Sequence, residues 1–513
     1  LAAARELTPG NAEKIAGFQD RAAEIAAAAG EVISLGLANE NERAISTMAQ
    51  VDPQVDSLSR DLRDFNEAES AADNARGDEL SAEANATVVA NAVLALVGIG
   101  VSLLLGYWIA NLKIARPLNR LSDAKPARRK AAAEGLSEAL AARAPTIALV
   151  LNTVAADKAM EDRWRGFARP ADSRHLANEV DGEAVDAMAE AVANAYPRLS
   201  HRYYALKAKA MGKARLDHWD RNAPIETAAP RAFTWSQGRE IVLDSFADLG
   251  GDFAERAGRF FDKPWIDGRA RPGKQSGAYA HPVTADRHPY VFLNWMGERR
   301  DVLTLAHELG HGVHQTLAAE QGTLLADTPL TLAETASIFA EGLTFDRLLA
   351  TAPKAEQRGL LAGRIEDGLN TVVRQIAFHR FETRFHDERQ KGEVPQQRIN
   401  ELWMDEMGAS LGPAVTLNPG YEHWWSYVSH FVHSPFYVYA YAFGDLLVAA
   451  LMEARRADPA GFTPLYRDLL AGGGTRTYVE ALKPFGLNPR DPAFWSVGCR
   501  RLERLVDQFE ALS

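Results

Sequence analysis

Cysteine is almost absent from this sequence, because Cys499 is the single example among 513 residues. One thiol can form neither an internal disulfide nor a cysteine-based zinc site, so both are excluded. We expect Cys499 to be an inert structural thiol, since its neighbours form no motif of nucleophilic catalysis. An excess of positive charge is also absent, and the formal net charge is −11. This balance argues against a nucleic-acid partner, which would require a basic face.

Charge is missing altogether from residues 84–112, a run of 29 positions. About 20 apolar residues are enough to cross a bilayer, and Tyr107 and Trp108 lie where an interfacial aromatic belt is expected. A buried core helix is the alternative, but such helices seldom stay uncharged for more than about twenty residues. We predict a transmembrane helix over residues 87–112. Acidic residues precede it and basic residues follow it, so residues 1–86 should be periplasmic and the remainder cytoplasmic.

Residues 1–86 carry seventeen Asp or Glu against seven Lys or Arg. Apolar residues such as Ile25 and Val32 recur at helical spacing, which predicts a helical bundle. With the predicted span and the stretch IARPLNRLSDA (Ile114–Ala124), this region resembles a fragment of a bacterial methyl-accepting chemotaxis receptor. The resemblance implies a ligand-binding bundle fragment, a helix anchored in the inner membrane and, over residues 113–124, the start of a HAMP-like linker. No second HAMP helix and no signalling coiled coil follow.

Residues 125–513 have a different composition, in which aromatic, Pro and Gly residues are frequent. Long helical patterns alternate with turn-rich stretches, which predicts a large, mainly α-helical domain. One strand is readable, because His288–Trp295 (HPYVFLNW) alternates and is rich in β-branched and aromatic residues.

A metal-binding motif occurs in DVLTLAHELGHGVHQTL (Asp301–Leu317), whose apolar residues follow a helical pattern. His307 and His311 stand at positions i and i+4, so both imidazoles lie on one face and can reach one zinc ion. Glu308 lies beside them and can take a proton from a zinc-bound water. An ordinary amphipathic helix with surface histidines is the alternative. The motif predicts one Zn²⁺ per chain.

A peptidase zinc of this kind needs a third protein ligand. The metzincin pattern requires Gly at position 314 and His at position 317. This chain has His314 and Leu317 there, so that class is excluded. A glutamate on a following helix is the usual alternative, and Glu334 lies 23 residues after His311 in such a pattern. Glu341 would share its helix face and could accept a hydrogen bond from a ligand imidazole. A solvated helix glutamate is the other interpretation of Glu334.

A second candidate cluster lies downstream, in SHFVHSPFYVYAYAFGDLL (Ser429–Leu447). Ser434 followed by Pro435 predicts the N-cap and the first residue of a helix. In that helix Tyr437 and Tyr441 would share one face.

His430 and His433 lie in the segment that leads into this predicted helix. Peptide hydrolysis develops negative charge on the tetrahedral oxygen, which a tyrosine hydroxyl or an imidazole N–H can stabilise. An aromatic core stripe is the alternative. Because a zinc helix is predicted in the same domain, we favour the catalytic role for Tyr441 and His430. Both interpretations stay open for Tyr437 and His433.

Residues 125–513 resemble oligoendopeptidase F, of the thimet-oligopeptidase superfamily of zinc metallopeptidases. The matches run through most of this region. They are DRWRGF (Asp162–Phe167), SRHLANEV (Ser173–Val180), YPRLSHRYYALKA (Tyr196–Ala208), HWDRNAP (His218–Pro224), RPGKQSGAYAHP (Arg271–Pro282), the HELGH helix, ADTPLTLAETAS (Ala326–Ser337) and HFVHSPFYVYAYAFGD (His430–Asp445).

The resemblance implies an α-helical, two-lobed body with a deep channel, a small β-sheet near the zinc, and short unfolded peptides as substrates. It also implies that the substrate backbone lies along the Gly-rich stretch Gly273–Gly277 and the strand His288–Trp295, held by backbone hydrogen bonds. The resemblance implies that His307, His311 and Glu334 bind the metal, that Glu308 is the general base, and that Tyr441 and His430 stabilise the oxyanion. Beyond the resemblance, we predict Glu341 behind the metal ligands and Tyr437 as a further catalytic residue. We also predict that His433, Gly277 and Tyr279 bind substrate.

One departure from the family concerns its N-terminal lobe, whose first part is missing before Lys125. A receptor-like fragment stands there instead, and the change falls at no natural linker, which favours an artefactual or very recent fusion. The sequence thus predicts a cytoplasmic zinc endopeptidase. The alternative is a membrane-anchored, chemoreceptor-like sensory fragment fused to a catalytically incomplete peptidase. The residues indicate neither an oligomeric state nor a peptide-sequence preference.

Overall fold

The computed structural model describes residues 9–37, 41–73, 118, 120–225 and 231–512. The predicted transmembrane helix over residues 87–112 lies outside these residues, as does half of the predicted linker. Within the described residues, no single helix is long and apolar enough to cross a membrane. Two consecutive helices, Pro126–Ala141 and Ala144–Arg165, meet the criteria of length and composition only as a pair bent by 60°.

The described chain divides into two units, and the first comprises Leu1–Arg120 and Ala131–Ala139. Its main elements are helices α1 (Pro9–Leu37) and α2 (Asn41–Asp73), which pack against each other through a small apolar cluster. The rings of Phe18 and Phe65 meet edge to face at 5.4 Å. The helical structure predicted for this region is confirmed for these residues. The resemblance to a receptor fragment stays a prediction.

The second unit, Leu121–Lys130 and Leu140–Ser513, is mainly α-helical, as predicted for residues 125–513. Short 3₁₀ or π segments join several of its helices, at Pro197–His201, His218–Asp220, Ala319–Gln321, Leu369–Val373, Tyr421–Tyr427 and Lys483–Phe485. In chain order the helices are α3 (Pro126–Ala141, which contributes to both units), α4 (Ala144–Arg165), α5 (Asp172–Ala177), α6 (Gly182–Ala195), α7 (Arg202–Ala210), α8 (Trp235–Ala247), α9 (Gly251–Asp262), α10 (Arg299–Ala318), α11 (Leu330–Ala333), α12 (Thr335–Thr351), α13 (Lys354–Gly368), α14 (Arg374–Arg389), α15 (Gln396–Leu411), α16 (His430–His433), α17 (Tyr439–Ala457), α18 (Pro459–Ala471), α19 (Tyr478–Leu482) and α20 (Pro492–Ala511).

Two small sheets accompany these helices. Strands β1 (Leu216–Asp217) and β5 (Val415–Thr416) form a parallel pair. The second sheet has the order β2 (Ile266–Arg269), β4 (Tyr290–Trp295), β3 (Tyr279–His281), with β2 parallel and β3 antiparallel to β4. The strand predicted within residues 288–295 is therefore confirmed as β4.

Strand β4 is central, which corrects one expectation from the sequence. Because β4 is paired with β2 on one side and, over residues 290–292, with β3 on the other, this part of the strand has no open edge for a substrate backbone. The edge belongs to β3 instead. Tyr279 pairs with Phe292 and His281 with Tyr290 in that antiparallel register.

Helix α10 packs closely against α12, and this contact sets the position of the predicted metal ligands. Leu305, Ala306 and Leu309 of α10 are fully buried in the main core. A Cβ atom at Gly310 would lie 2.6 Å from the carbonyl oxygen of Ala336. Only glycine allows the two backbones to approach so closely at this point.

Candidate metal centre and active site

Helix α10 presents the two predicted imidazoles on its open face. It begins with a capping box, in which Asp301 accepts a hydrogen bond from the Glu298 N–H at 2.9 Å. With 3.6 residues per turn, burial of the apolar face leaves His307 and His311 together on the opposite face, where both are partly exposed.

Glu334 lies directly against both imidazoles. Its Oε2 is 3.4 Å from Nε2 of His307 and 3.3 Å from Nε2 of His311. Four ligands placed tetrahedrally at about 2.0–2.1 Å from a zinc ion lie about 3.3 Å from one another, so the two distances from Glu334 match the spacing of zinc ligands. Among the described residues, these three form the group of His, Cys, Asp and Glu side chains suited to hold a metal.

The position of Glu334 differs in one detail from the prediction. The residue does not lie inside a helix but at the junction between α11 and α12, with φ −89° and ψ 2°. This junction turns its carboxylate towards α10. The hydroxyl of Ser337, one turn further on, donates a 2.6 Å hydrogen bond to Oε2 of Glu334 and holds that oxygen in place.

Glu341 lies on the far side of His307 from Glu334. Its Oε2 is 3.3 Å from Nδ1 of His307, and its Oε1 accepts a 2.8 Å hydrogen bond from Arg364. Such a carboxylate fixes the tautomer that leaves Nε2 free for a metal. Arg364 could not be predicted, because nothing in its local sequence indicates a partner 23 residues earlier.

The electrostatics of the ligand group favour a cation. Burial lowers the pKa of His307, but hydrogen bonds with Glu334 and Glu341 outweigh it and raise the pKa to about 10. Burial acts to raise the pKa of Glu334, yet His307 and His311 hold that pKa far below its usual range. The arrangement therefore stabilises positive charge between the three side chains, whether as protons or as a metal ion.

Glu308 is almost fully buried beside the ligands, 6% exposed. Burial raises the pKa of its carboxyl, while His307 and His311 act in the opposite direction. The carboxylate also accepts a hydrogen bond from the backbone of Ala280 in β3. A carboxyl with a raised pKa next to a metal site is suited to accept and return a proton near neutral pH.

His430 and Tyr441 are brought together, as the sequence analysis expects. His430 begins the short helix α16, and its Nε2 is 3.2 Å from the hydroxyl of Tyr441 in α17. The Tyr437 ring lies 5.8 Å from His430 and 5.4 Å from Tyr441. Burial, and then the nearby charge of Glu334, raise the pKa of Tyr437. The three side chains thus form one cluster close to the metal ligands.

The start of the second helix was predicted wrongly. Ser434 and Pro435 are not its N-cap and first residue, because α17 begins at Tyr439. Phe436 has a φ of 60°, in the left-handed region, and this reversal interrupts the helix between α16 and α17. Tyr437 therefore lies before the helix, although it still packs against Tyr441.

The predicted substrate-binding residues lie in different surroundings. Gly277 has a φ of 91° and its carbonyl accepts a 3.2 Å hydrogen bond from Asn294. Tyr279 of β3 is half exposed and its ring stacks on Phe292 at 4.9 Å. His433 ends α16. The substrate-binding role of these residues stays a prediction.

A cavity of about 300 Å³ opens beside His311. This cavity could not be predicted, because separate loops at residues 282–289 and 323–328 meet there without any shared motif. Val283 in the first loop has a φ of 63°. The lining includes Pro282, Val283, Thr284, Ala285, Pro289, His311, His314, Gln315, Thr323, Ala326 and Thr328.

Two curated proteins of similar sequence are named as oligopeptidases. Oligoendopeptidase F, chromosomal, from Lactococcus lactis subsp. cremoris is 27% identical over 387 residues, which are 75% of this chain and 64% of that protein. Oligopeptidase PepF from Bacillus subtilis (strain 168) is 26% identical over 338 residues, 65% of this chain and 50% of that protein. The chain thus spans between half and about two thirds of the length of these curated relatives.

Solved structures share the fold. Oligoendopeptidase-F from Enterococcus faecium aligns with a TM-score of 0.62 at 17% identity, over 97% of this chain and 98% of that one. Together with the curated relatives, this structure confirms the resemblance of residues 125–513 to oligoendopeptidase F. The family model described as Peptidase family M3 matches residues 120–500. This match covers most of the sequence, and the chain belongs to peptidase family M3.

Proposed function

We propose that this chain is a zinc-dependent endopeptidase that hydrolyses short, unfolded oligopeptides. The observation that carries the proposal is the spacing of the donor atoms: Glu334 Oε2 lies 3.3–3.4 Å from both imidazoles, with Glu308 buried on the same helix. The names of the relatives describe oligopeptidases, which supports peptides as the substrate class.

His307, His311 and Glu334 would hold one zinc ion, which leaves a fourth position for water or substrate. Zinc bound there would polarise a peptide carbonyl and lower the pKa of water to about 7. Glu308 accepts the proton of the attacking water and returns it to the leaving amine. The hydrogen bond from the Ala280 backbone supports a position of its carboxylate on the β3 side of the site.

Tyr441 and His430 are proposed to stabilise the developing oxyanion. Their polar atoms lie 3.2 Å apart, so both can point at one oxygen. Tyr437 packs against both rings and would support the same charge. The half-exposed ring of Tyr441 supports a role for its hydroxyl outside the core.

Peptide backbone is proposed to lie along the β3 side of the site, near Gly277 and Tyr279, with His433 contacting the substrate from α16. Recognition through backbone hydrogen bonds would tolerate many side chains. The carbonyl of Ala280 in β3 is 3.4 Å from the Gln315 amide of α10, so strand and zinc helix are neighbours. The catalytic unit is expected to act in the cytoplasm.

The test compares Glu308→Gln with the exposed control Glu320→Gln, just beyond the same helix. Removal of a general base typically costs about 10²–10⁴-fold in rate. We expect Glu308→Gln to lose about a thousandfold in kcat on a short fluorogenic peptide, with one zinc per chain retained, and the control to match wild type. Equal rates for wild type and Glu308→Gln would refute the mechanism.

A further inference from the structure

The chain between His430 and Tyr441 reverses sharply at Phe436. Its φ of 60° lies in the left-handed region, which a bulky side chain normally avoids. Phe436 is fully buried, so this is not a strained residue at an exposed loop tip. A conformation of this kind persists only where the surrounding contacts impose it, and such residues cluster at functional sites.

One of these contacts comes from Glu382 on α14. Its Oε1 accepts a 2.7 Å hydrogen bond from the Phe436 N–H, across 54 residues of sequence. The carboxyl is 1% exposed, and its other oxygen is buried with no hydrogen-bond partner among the described residues. A carboxyl is costly to bury when only half of it is satisfied, and an apolar residue would pack the core more cheaply. The hydrogen bond from the Phe436 N–H explains why a residue with an acceptor oxygen, Glu382, is buried at this position.

Other side chains hold the residues on either side of the reversal. Nε of Arg174 donates a 3.1 Å hydrogen bond to the carbonyl of Pro435, and its guanidinium lies 5.7 Å from the Tyr437 ring. The hydroxyl of Tyr439, in the first turn of α17, accepts a 2.9 Å hydrogen bond from the side-chain amide of Asn178. The backbone that leads into the Tyr441 helix is thus fixed at several consecutive points.

The reversal also determines where the tyrosines lie relative to the metal ligands. Tyr437 follows Phe436 directly and packs against Tyr441. One turn further along α17, a Cβ atom at Gly444 would lie 3.8 Å from Cβ of Glu334. A change of backbone direction at Phe436 would therefore shift Tyr437 and Tyr441 relative to the metal ligands.

We propose that Glu382 is a positioning residue of the active site: by holding the reversed backbone at Phe436, it fixes the Tyr437 and Tyr441 hydroxyls relative to the metal ligands. The proposal rests on the proposed function, because the hydroxyls matter only if peptide hydrolysis occurs there. Glu382 itself is not in contact with the ligands and takes no part in proton transfer.

The protonation state of Glu382 makes one substitution conservative. Burial raises the pKa of Glu382 to about 8, although the Phe436 amide, Arg174 and Lys158 act to lower it. The neutral acid is then the main form at pH 7, and its carbonyl oxygen is enough to accept the Phe436 N–H. Glutamine has the same shape and the same acceptor, whereas methionine fills the space without one.

The experiment compares Glu382→Met and Glu382→Gln in the full chain loaded with zinc. Glu388→Met is the matched control, because Glu388 lies on the same helix and pairs with Arg398 away from the reversal. We expect Glu382→Met to accelerate hydrogen exchange in residues 430–441 and to lower kcat by about 10–100-fold, since misplacement by about 1 Å can cost 10²-fold. KM should stay within threefold and zinc content should stay at one per chain. Glu382→Gln and Glu388→Met should stay within threefold of wild type in every measurement.

The proposal would be overturned if Glu382→Met showed the same hydrogen exchange and kcat as wild type. It would also be overturned if Glu382→Met and Glu382→Gln lowered kcat and accelerated exchange equally. If Glu382→Met does not fold, Arg174→Met removes the neighbouring bond to Pro435 from a half-buried position, and an unchanged kcat there would count against the proposal. Hydrogen exchange needs no peptidase activity, so the two ideas can fail separately. Absence of cleavage by wild type refutes the proposed function. Normal cleavage by wild type, together with hydrogen exchange in residues 430–441 that is unchanged in Glu382→Met, refutes the positioning role alone.

Discussion

The close contact between α10 and α12 at Gly310 predicts the effect of a single added methyl group. In Gly310→Ala, the new Cβ would lie 2.6 Å from the Ala336 carbonyl oxygen and 2.7 Å from Cα of Ser337. Both are backbone atoms, which cannot rotate away. Gly310 precedes His311, and the opposing residues follow Glu334, so the substitution pushes the two ligand-bearing elements apart.

The size of the effect follows from this geometry. Ordinary contact begins at 3.4 Å, so the backbones must separate by roughly 0.8 Å. Overpacking of this kind costs about 1–3 kcal/mol, from which alanine's better helix propensity subtracts about 1 kcal/mol. Metal sites tolerate only about 0.2 Å in ligand distance, so we expect zinc affinity to fall on the order of tenfold or more.

The assay measures the thermal midpoint of the metal-free protein and zinc affinity by competition with a chromogenic chelator. Gly363→Ala is the control, because Gly363 lies within α13 and an added Cβ there meets no atom within 4 Å. That variant should gain about 0.5–1 kcal/mol from helix propensity and bind zinc as wild type does. If Gly310→Ala behaves like Gly363→Ala in both measurements, the helix contact does not set the ligand geometry.

Two further predictions concern the ligand set and the response to acid. Ser337→Ala removes the 2.6 Å hydrogen bond to Glu334. Because bonds to charged groups contribute about 1.5–3 kcal/mol, zinc affinity should fall about 10–100-fold in the same competition assay, and an unchanged affinity would contradict this. Burial lowers the pKa of His175 and His218 to about 4, below the 6.5 of the unfolded chain. The unfolded state therefore takes up protons first, and stability should fall as pH drops from about 6.5 towards 4, by about 1.4 kcal/mol per pKa unit and residue. A thermal midpoint of the metal-free protein that stays flat over this range would argue against neutral, buried imidazoles.

The parts of the site that follow from local periodicity could be predicted from the sequence. His307 and His311 share a face because an α-helix brings residues i and i+4 together, whatever surrounds it. Strand β4 was likewise readable from its alternation. Glu341 could be proposed as a partner of a ligand imidazole because it follows Glu334 at helical spacing, although the sequence did not say which imidazole.

The parts that depend on distant residues could not be predicted. Ser434 and Pro435 have the local signature of a helix start, but the chain reverses at Phe436 because Glu382 and the core impose it from another helix. The central position of β4 depends in the same way on pairing with β2, and no single-strand pattern reveals a second neighbour. Arg364 has no local signal at all.

The edge strand β3 affects the tendency of the protein to aggregate. An open strand edge normally invites strands from other chains, and long flat edges promote aggregation. Here the edge is three residues long, and Ala280 at its centre is already engaged by Gln315 and Glu308 of α10. Because these two contacts occupy the Ala280 main chain, little of the β3 edge is left for strands of other molecules, which disfavours aggregation through this strand.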